Sequence, residues 1–190
     1  MAKTKNKTDL QKMPVGYEGG AIMEVRPAKP VAPFGLFQNQ LKEREGIENK
    51  IYKDKKGILH GGIGHKLVGE ELKKYKVGDP IPQQQIDAWF NQDSKKAWES
   101  AGEKAAMLGN EKLQFTLAPL DFQLGENWNT DHIRTWGLLE QGDYAGAAKE
   151  AEDSKWFIQT PKRVGDFQEG LLGLVKEQKL GETSAKVNGY

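Results

Sequence analysis

The stretch EGIENKIYKDKKGILHGGIGH, residues 45–65, decides how this chain is read. Ahead of it, Phe37 and Leu41 stand four residues apart and share one helical face. The spacing predicts a helix over about residues 36–45, with Gly46 as its stop. Within it, Ile51-Tyr52 and Ile58-Leu59 favour strand, and Asp54-Lys55-Lys56-Gly57 supplies a turn. Glu45 therefore closes a helix while Asp54 sits in a hairpin turn. That arrangement can set two carboxyl groups on opposite sides of one groove.

Downstream, helical character returns near Gly69–Tyr75 and is broken by Gly78-Asp79-Pro80. Pro82 then opens the longest helical pattern, running to about Met107, with Ile86, Trp89, Phe90, Ala97, Trp98 and Ala101 recurring at three- and four-residue steps. Shorter helices are predicted around residues 111–124, 131–139, 144–153 and 161–174. The fold class is α+β: a small β-hairpin sheet lobe and a mainly helical lobe, joined by a long helix. Upstream, residues 1–34 read as an extended N-terminal arm, with Lys3, Lys5 and Lys7 in a polar run and Pro14, Pro27, Pro30 and Pro33 disfavouring helix. Residues 176–190, polar and glycine-containing, read as a loose C-terminal tail. The folded domain is then residues 35–175.

Composition excludes several functions. With 28 basic and 27 acidic residues the net charge is +1, so no charge excess argues for nucleic acid. No run is apolar enough to span a bilayer, and no apolar segment follows the basic N-terminus as a secretory signal requires. Without cysteine there is no disulfide framework or thiolate metal site. His60 and His65 do not have a recognised zinc-ligand spacing, so neither a metal nor another cofactor is expected. Gly61-Gly62-Ile63-Gly64 lacks the Lys and Ser/Thr of a phosphate-binding loop, and no Gly-x-Ser-x-Gly elbow occurs.

Paired carboxyls are what glycoside hydrolysis needs. One, protonated, serves the leaving oxygen, and the other, ionised, stabilises the developing cation or handles a water. Their environments must differ so that their proton affinities separate. A chain with 27 acidic residues offers many such pairs, so the order of the surrounding residues matters more than the pair.

Glu45-Gly46, Tyr52-Lys53-Asp54, Gly57 and Gly62-Ile63-Gly64-His65 occur in the order seen in phage-type lysozymes, the muramidases of tailed-phage endolysins, and the chain resembles that family. Three later segments extend the likeness over about residues 36–174: Trp89-Phe90-Asn91-Gln92-Asp93, Phe122-Gln123-Leu124-Gly125-Glu126, and Ser154–Pro161 followed by Arg163. The resemblance implies a lysozyme-like fold that cleaves the bond between N-acetylmuramic acid and N-acetylglucosamine in peptidoglycan. It implies Glu45 as general acid, Asp54 as second carboxylate, and Arg163 as the arginine beside the acid. A neighbouring cation favours the ionised carboxyl and burial opposes it. It also implies Phe122, Gln123 and Gln159 as substrate-binding positions, with helix packing as the other reading of Phe122 and Gln123. His65 is expected to be structural, paired with Asp93 across to the long helix.

One position departs from the family pattern. Where a threonine usually stands between the turn glycine and the Gly-x-Gly-His close, this chain has His60. An imidazole can take a proton from water, attack the sugar carbon, or simply fill space in a protein that holds glycan without cutting it. His60 is thus a third candidate catalytic residue. Inverting hydrolysis, covalent or transfer chemistry, and a glycan-binding virion protein remain alternative outcomes. The expected setting is a phage protein, in the host cytoplasm before lysis or on the virion, acting on the periplasmic wall. Residues 1–34 would contact virion tail or internal proteins.

Overall fold

A computed structural model describes residues 33–187. The expected arm lies outside the described residues except for Pro33 and Phe34, which begin helix α1 (Pro33–Glu45). A three-stranded antiparallel sheet follows, β1 (Glu48–Lys53), β2 (Leu59–Gly62) and β3 (His65–Lys66), in the order β1-β2-β3. Then come α2 (Glu71–Lys74), α3 (Gln83–Met107), α4 (Leu113–Leu124), α5 (Trp128–Asp131), α6 (Ile133–Glu140), α7 (Tyr144–Glu152), α8 (Lys155–Gln159) and α9 (Pro161–Val187).

The 25 residues of α3 give it a length of roughly 37 Å at 1.5 Å per residue. Its first half buries Ile86, Trp89 and Phe90, and its second half buries Ala97, Ala101 and Ala105 along α4. One helix thus serves both lobes. The sheet lobe covers its core face with Ile51, Ile63 and Leu67 against Ile81, Ile86 and Trp89. The free edge of β1 is closed by the 78–81 segment: Ile51 N–H donates to Asp79 O at 3.0 Å and Ile81 N–H to Asn49 O at 2.8 Å. Helices α6, α7 and α9 complete the helical lobe around Leu139, Ala147, Val164, Phe167 and Leu171.

One expectation changes here. The segment read as a loose tail continues α9 to Val187. Its Lys, Gln, Glu and Ala residues are good helix formers, and Thr183 Oγ1 donates back to Lys179 O at 2.9 Å, so the helix extends without an apolar stripe to announce it. Residues 155–159, inside the 154–161 motif, form the short helix α8.

His65 pairs as expected and has a second carboxylate besides. Its Nδ1 lies 2.7 Å from Asp93 Oδ2 and its Nε2 3.1 Å from Glu71 Oε2. Trp89 stacks on the imidazole at 4.3 Å and donates its Nε1–H to Glu71 Oε1 at 2.7 Å. Burial alone would lower the His65 pKa, but Asp93 and Glu71 outweigh it and hold it above 6.5. The folded state therefore binds the His65 proton more tightly than the unfolded chain. This stability is complete below about pH 6.5 and is lost as pH rises through the folded value. His65→Asn is expected to cost about 2–3 kcal/mol near pH 6. That lies below the loss for a fully buried pair, because both carboxylates are about a quarter exposed. Urea unfolding across pH checks this: the gap between wild type and variant should close in alkaline solution.

The helical lobe buries a second ion pair. Lys104 Nζ on α3 is 2.9 Å from Asp121 Oδ1 on α4 and donates to Ser100 Oγ at 2.7 Å. The side chains are 9% and 0% exposed. Burial pushes the Asp121 carboxyl above its usual range, against the pull of Lys104.

Candidate active site

Helix α1 ends at Gly46, which takes φ +70°, and Glu45 is left facing the β2–β3 turn of the sheet lobe. The helix is anchored to the helical lobe. Gln38 Nε2 donates to Ser94 Oγ at 2.9 Å, and Arg44 pairs with Asp166 on α9 at 2.7 Å. Arg163, also on α9, places its guanidinium against Glu45 Oε1, with both side chains largely buried. The other oxygen, Oε2, faces the sheet. Gly64, in the β2–β3 turn at φ +73°, has no Cβ; one built there would stand 3.8 Å from Glu45 Oε2 and 3.7 Å from the Phe122 ring. Those distances would be ordinary contacts, so it is the positive φ that calls for glycine here, not the space.

Across from Glu45, the hairpin turn fixes Asp54. Its Oδ1 accepts the N–H groups of Ile58 and Lys56, each at 2.8 Å. The Ile58 N–H is the main cause of an Asp54 pKa below the usual carboxylate value; partial desolvation opposes it, and Lys56 N–H and His60 add to it. Asp54 Oδ2 lies 3.4 Å from His60 Nε2. His60 stands in β2 rather than in a glycine turn, directly opposite Tyr52 in β1, and the two rings stack at 5.8 Å. Burial raises the Tyr52 pKa, and so do Glu48, Glu45 and Asp54, which places this phenol within the field of both carboxylates. Tyr52 is thus a member of the site, although the sequence named it only as part of a motif.

Of the other expected positions, Phe122 is half-buried and meets Phe90 edge-on at 6.4 Å. Gln123 lines the same pocket as Glu45 and Arg163. Its amide is held at both ends: Nε2 donates to Thr160 Oγ1 at 3.0 Å, and Oε1 accepts Trp156 Nε1–H at 3.2 Å. Gln123 is therefore packed between helices, and the pocket it shares with Glu45 is lined by helical residues alone. Trp156 and Thr160 are supporting residues that sequence reading passed over, though both fall inside the 154–161 motif. Gln159 is placed elsewhere. It is exposed and lines a groove of about 480 Å³ with Asp131, His132, Arg134 and Glu150, away from Glu45. Trp156, three residues earlier and on the same side of α8, lines this groove as well as the pocket that holds Glu45. No cluster of metal-ligating side chains occurs among the described residues.

The groove thus presents unlike groups on its two walls: a carboxyl with one oxygen against a guanidinium and one turned inward, and a carboxylate held ionised beside an imidazole. Such a set can deliver a proton from one side and stabilise positive charge or activate a nucleophile from the other.

A family model described as phage lysozyme matches residues 42–176. The chain is similar to "Probable T4-type lysozyme 2" of Dictyostelium discoideum, 26% identical over 164 residues that cover 72% of this chain and 95% of that protein. It is also similar to "Probable T4-type lysozyme 1" of the same organism, 27% identical over 167 residues, 74% of this chain and 98% of that protein.

Proposed function

Because the chain belongs to the phage lysozyme family, we propose that it is a muramidase, hydrolysing the bond between N-acetylmuramic acid and N-acetylglucosamine in bacterial peptidoglycan during phage entry or host lysis. The observation that carries this reading is the contrast between the two carboxyl groups: Glu45 buried against Arg163 with Oε2 toward the sheet, and Asp54 kept ionised by two N–H donors.

In this mechanism the Glu45 Oε2 proton passes to the glycosidic oxygen as the bond to the anomeric carbon breaks. Asp54 stabilises the positive charge that develops there. With its Nε2–H toward Asp54 Oδ2, His60 carries a lone pair on Nδ1, which removes a proton from water as the new C–O bond forms. The carboxylate orients the imidazole and stabilises its protonated form. The same placement supports a second reading. If a hydroxyl of the same sugar replaces the water, its oxygen bonds to the anomeric carbon, its proton passes to the base, and an internal anhydro ring closes, so that the fragment is released without taking up water.

Mass and anomer analysis of fragments released from purified sacculi tests these readings. Reducing-end fragments mean hydrolysis, and fragments lighter by one water mean transglycosylation. Binding without release means a glycan-holding virion protein, for which residues 1–34 would be the virion contact. For His60→Thr we expect about a tenfold loss of rate, since threonine keeps a hydroxyl to position water but loses the base. The product anomer or the pH profile should change with it. Unchanged rate, anomer and profile would remove His60 from the chemistry.

A further inference from the structure

The sheet register places a third side chain beside the two already described. Tyr52 is the cross-strand partner of His60, and His60 is the partner of Lys66 in β3. Residues directly opposite in antiparallel strands share a face, with Cβ atoms about 4.5–5.5 Å apart. Tyr52, His60 and Lys66 therefore form one row across the sheet. The neighbouring pair, Gly61 and His65, is buried on the other face with Ile51. The row is the groove face, because His60 meets Asp54 there and Tyr52 lies within the field of both carboxylates. Lys66 is also two residues from Gly64, the closest point of the sheet to Glu45.

Lys66 is exposed, and its ammonium pairs with no carboxylate among the described residues. Arg163, the other cation at the groove, is occupied by Glu45. Asp54, held ionised, repels an anionic polymer. An unpaired ammonium on the same sheet face offsets that repulsion and offers three donors to a carboxylate.

We propose that Lys66 is a specificity-determining residue that recognises carboxylates on the peptide substituents of the glycan strand, so that the protein prefers peptide-bearing, anionic strands over neutral ones. This rests on the muramidase reading for its substrate, but it concerns binding and is measured apart from cleavage. Soluble glycan strands bearing stem peptides are compared with the same strands after their peptide carboxylates have been converted to amides. Affinities are measured in a Glu45→Gln background to prevent turnover. At low salt, adding Lys66→Met should weaken binding to the carboxylate strands about 3- to 10-fold. Binding to the amidated strands should not change. Lys66→Arg should retain the preference, and raised salt should erase it. Equal weakening on both strands, or on neither, overturns the proposal, as does failure of Glu45→Gln protein to bind either. The muramidase reading fails separately, if wild-type protein releases no fragments from either strand.

Discussion

Glu45→Gln lowers the rate of reducing-end release from peptidoglycan by about 10²- to 10⁴-fold, the range a positioned general acid contributes. The substitution keeps the shape of the side chain and leaves an oxygen to accept from Arg163, so the end of α1 retains its anchor. The amide has no proton to give the leaving oxygen at Oε2, the position that faces the sheet. Unfolding should move by about 1–3 kcal/mol, because the largely buried Arg163 guanidinium keeps a neutral acceptor but loses its anionic partner. Turbidity clearing of permeabilised cells and reducing-sugar release should fall together while strand binding persists. A variant that keeps more than about a tenth of the wild-type rate would show that Glu45 is not the proton donor.

Lys104→Met produces the largest stability loss, about 3–4 kcal/mol at pH 7. Methionine fills much the same volume, so packing changes little. The loss comes from Asp121, whose fully buried carboxylate is left without its cation. The fold can escape by protonating Asp121, and at pH 7 neutralising an ordinary carboxyl costs about 4 kcal/mol, which caps the penalty. This gives the prediction a pH signature. In the variant, folded Asp121 holds its proton while the unfolded chain ionises above about pH 4, so stability falls as pH rises from there. Chemical denaturation should show the variant close to wild type near pH 4 and furthest below it near neutrality. Lys104→Met with Asp121→Leu should recover most of the loss, because a buried pair replaced by apolar groups is close to neutral.

These two sites differ in how far the sequence revealed them. Glu45 was readable because a helical face ends at a glycine, and the position of α3 because Pro82 precedes an apolar recurrence that nothing interrupts. The pairing of His65 with Asp93 was readable because each lies in a well-defined element. Asp121 and Lys104 carried no signal. They come together only when α3 and α4 pack, and an aspartate in an otherwise apolar helix resembles a surface residue. Glu71 as second partner of His65, and Lys66 beside His60, needed a strand register that the hairpin pattern did not specify. Gln159 was expected at the site from its motif alone, and it lines the neighbouring groove with Trp156 instead of the pocket that holds Glu45. The extension of α9 went unread because propensity without an apolar stripe leaves no periodic mark.

The proposed proton donor and its counterpart ride on different bodies. Glu45 is fastened through α1 and α9 to the helical lobe, whereas Asp54 and His60 belong to the sheet lobe, and α3 is the shared spine. Any flexure of that spine alters the span between the two halves of the chemistry. Under the proposed mechanism, widening the gap would part the donor from its counterpart, and closing on a strand would bring them back together.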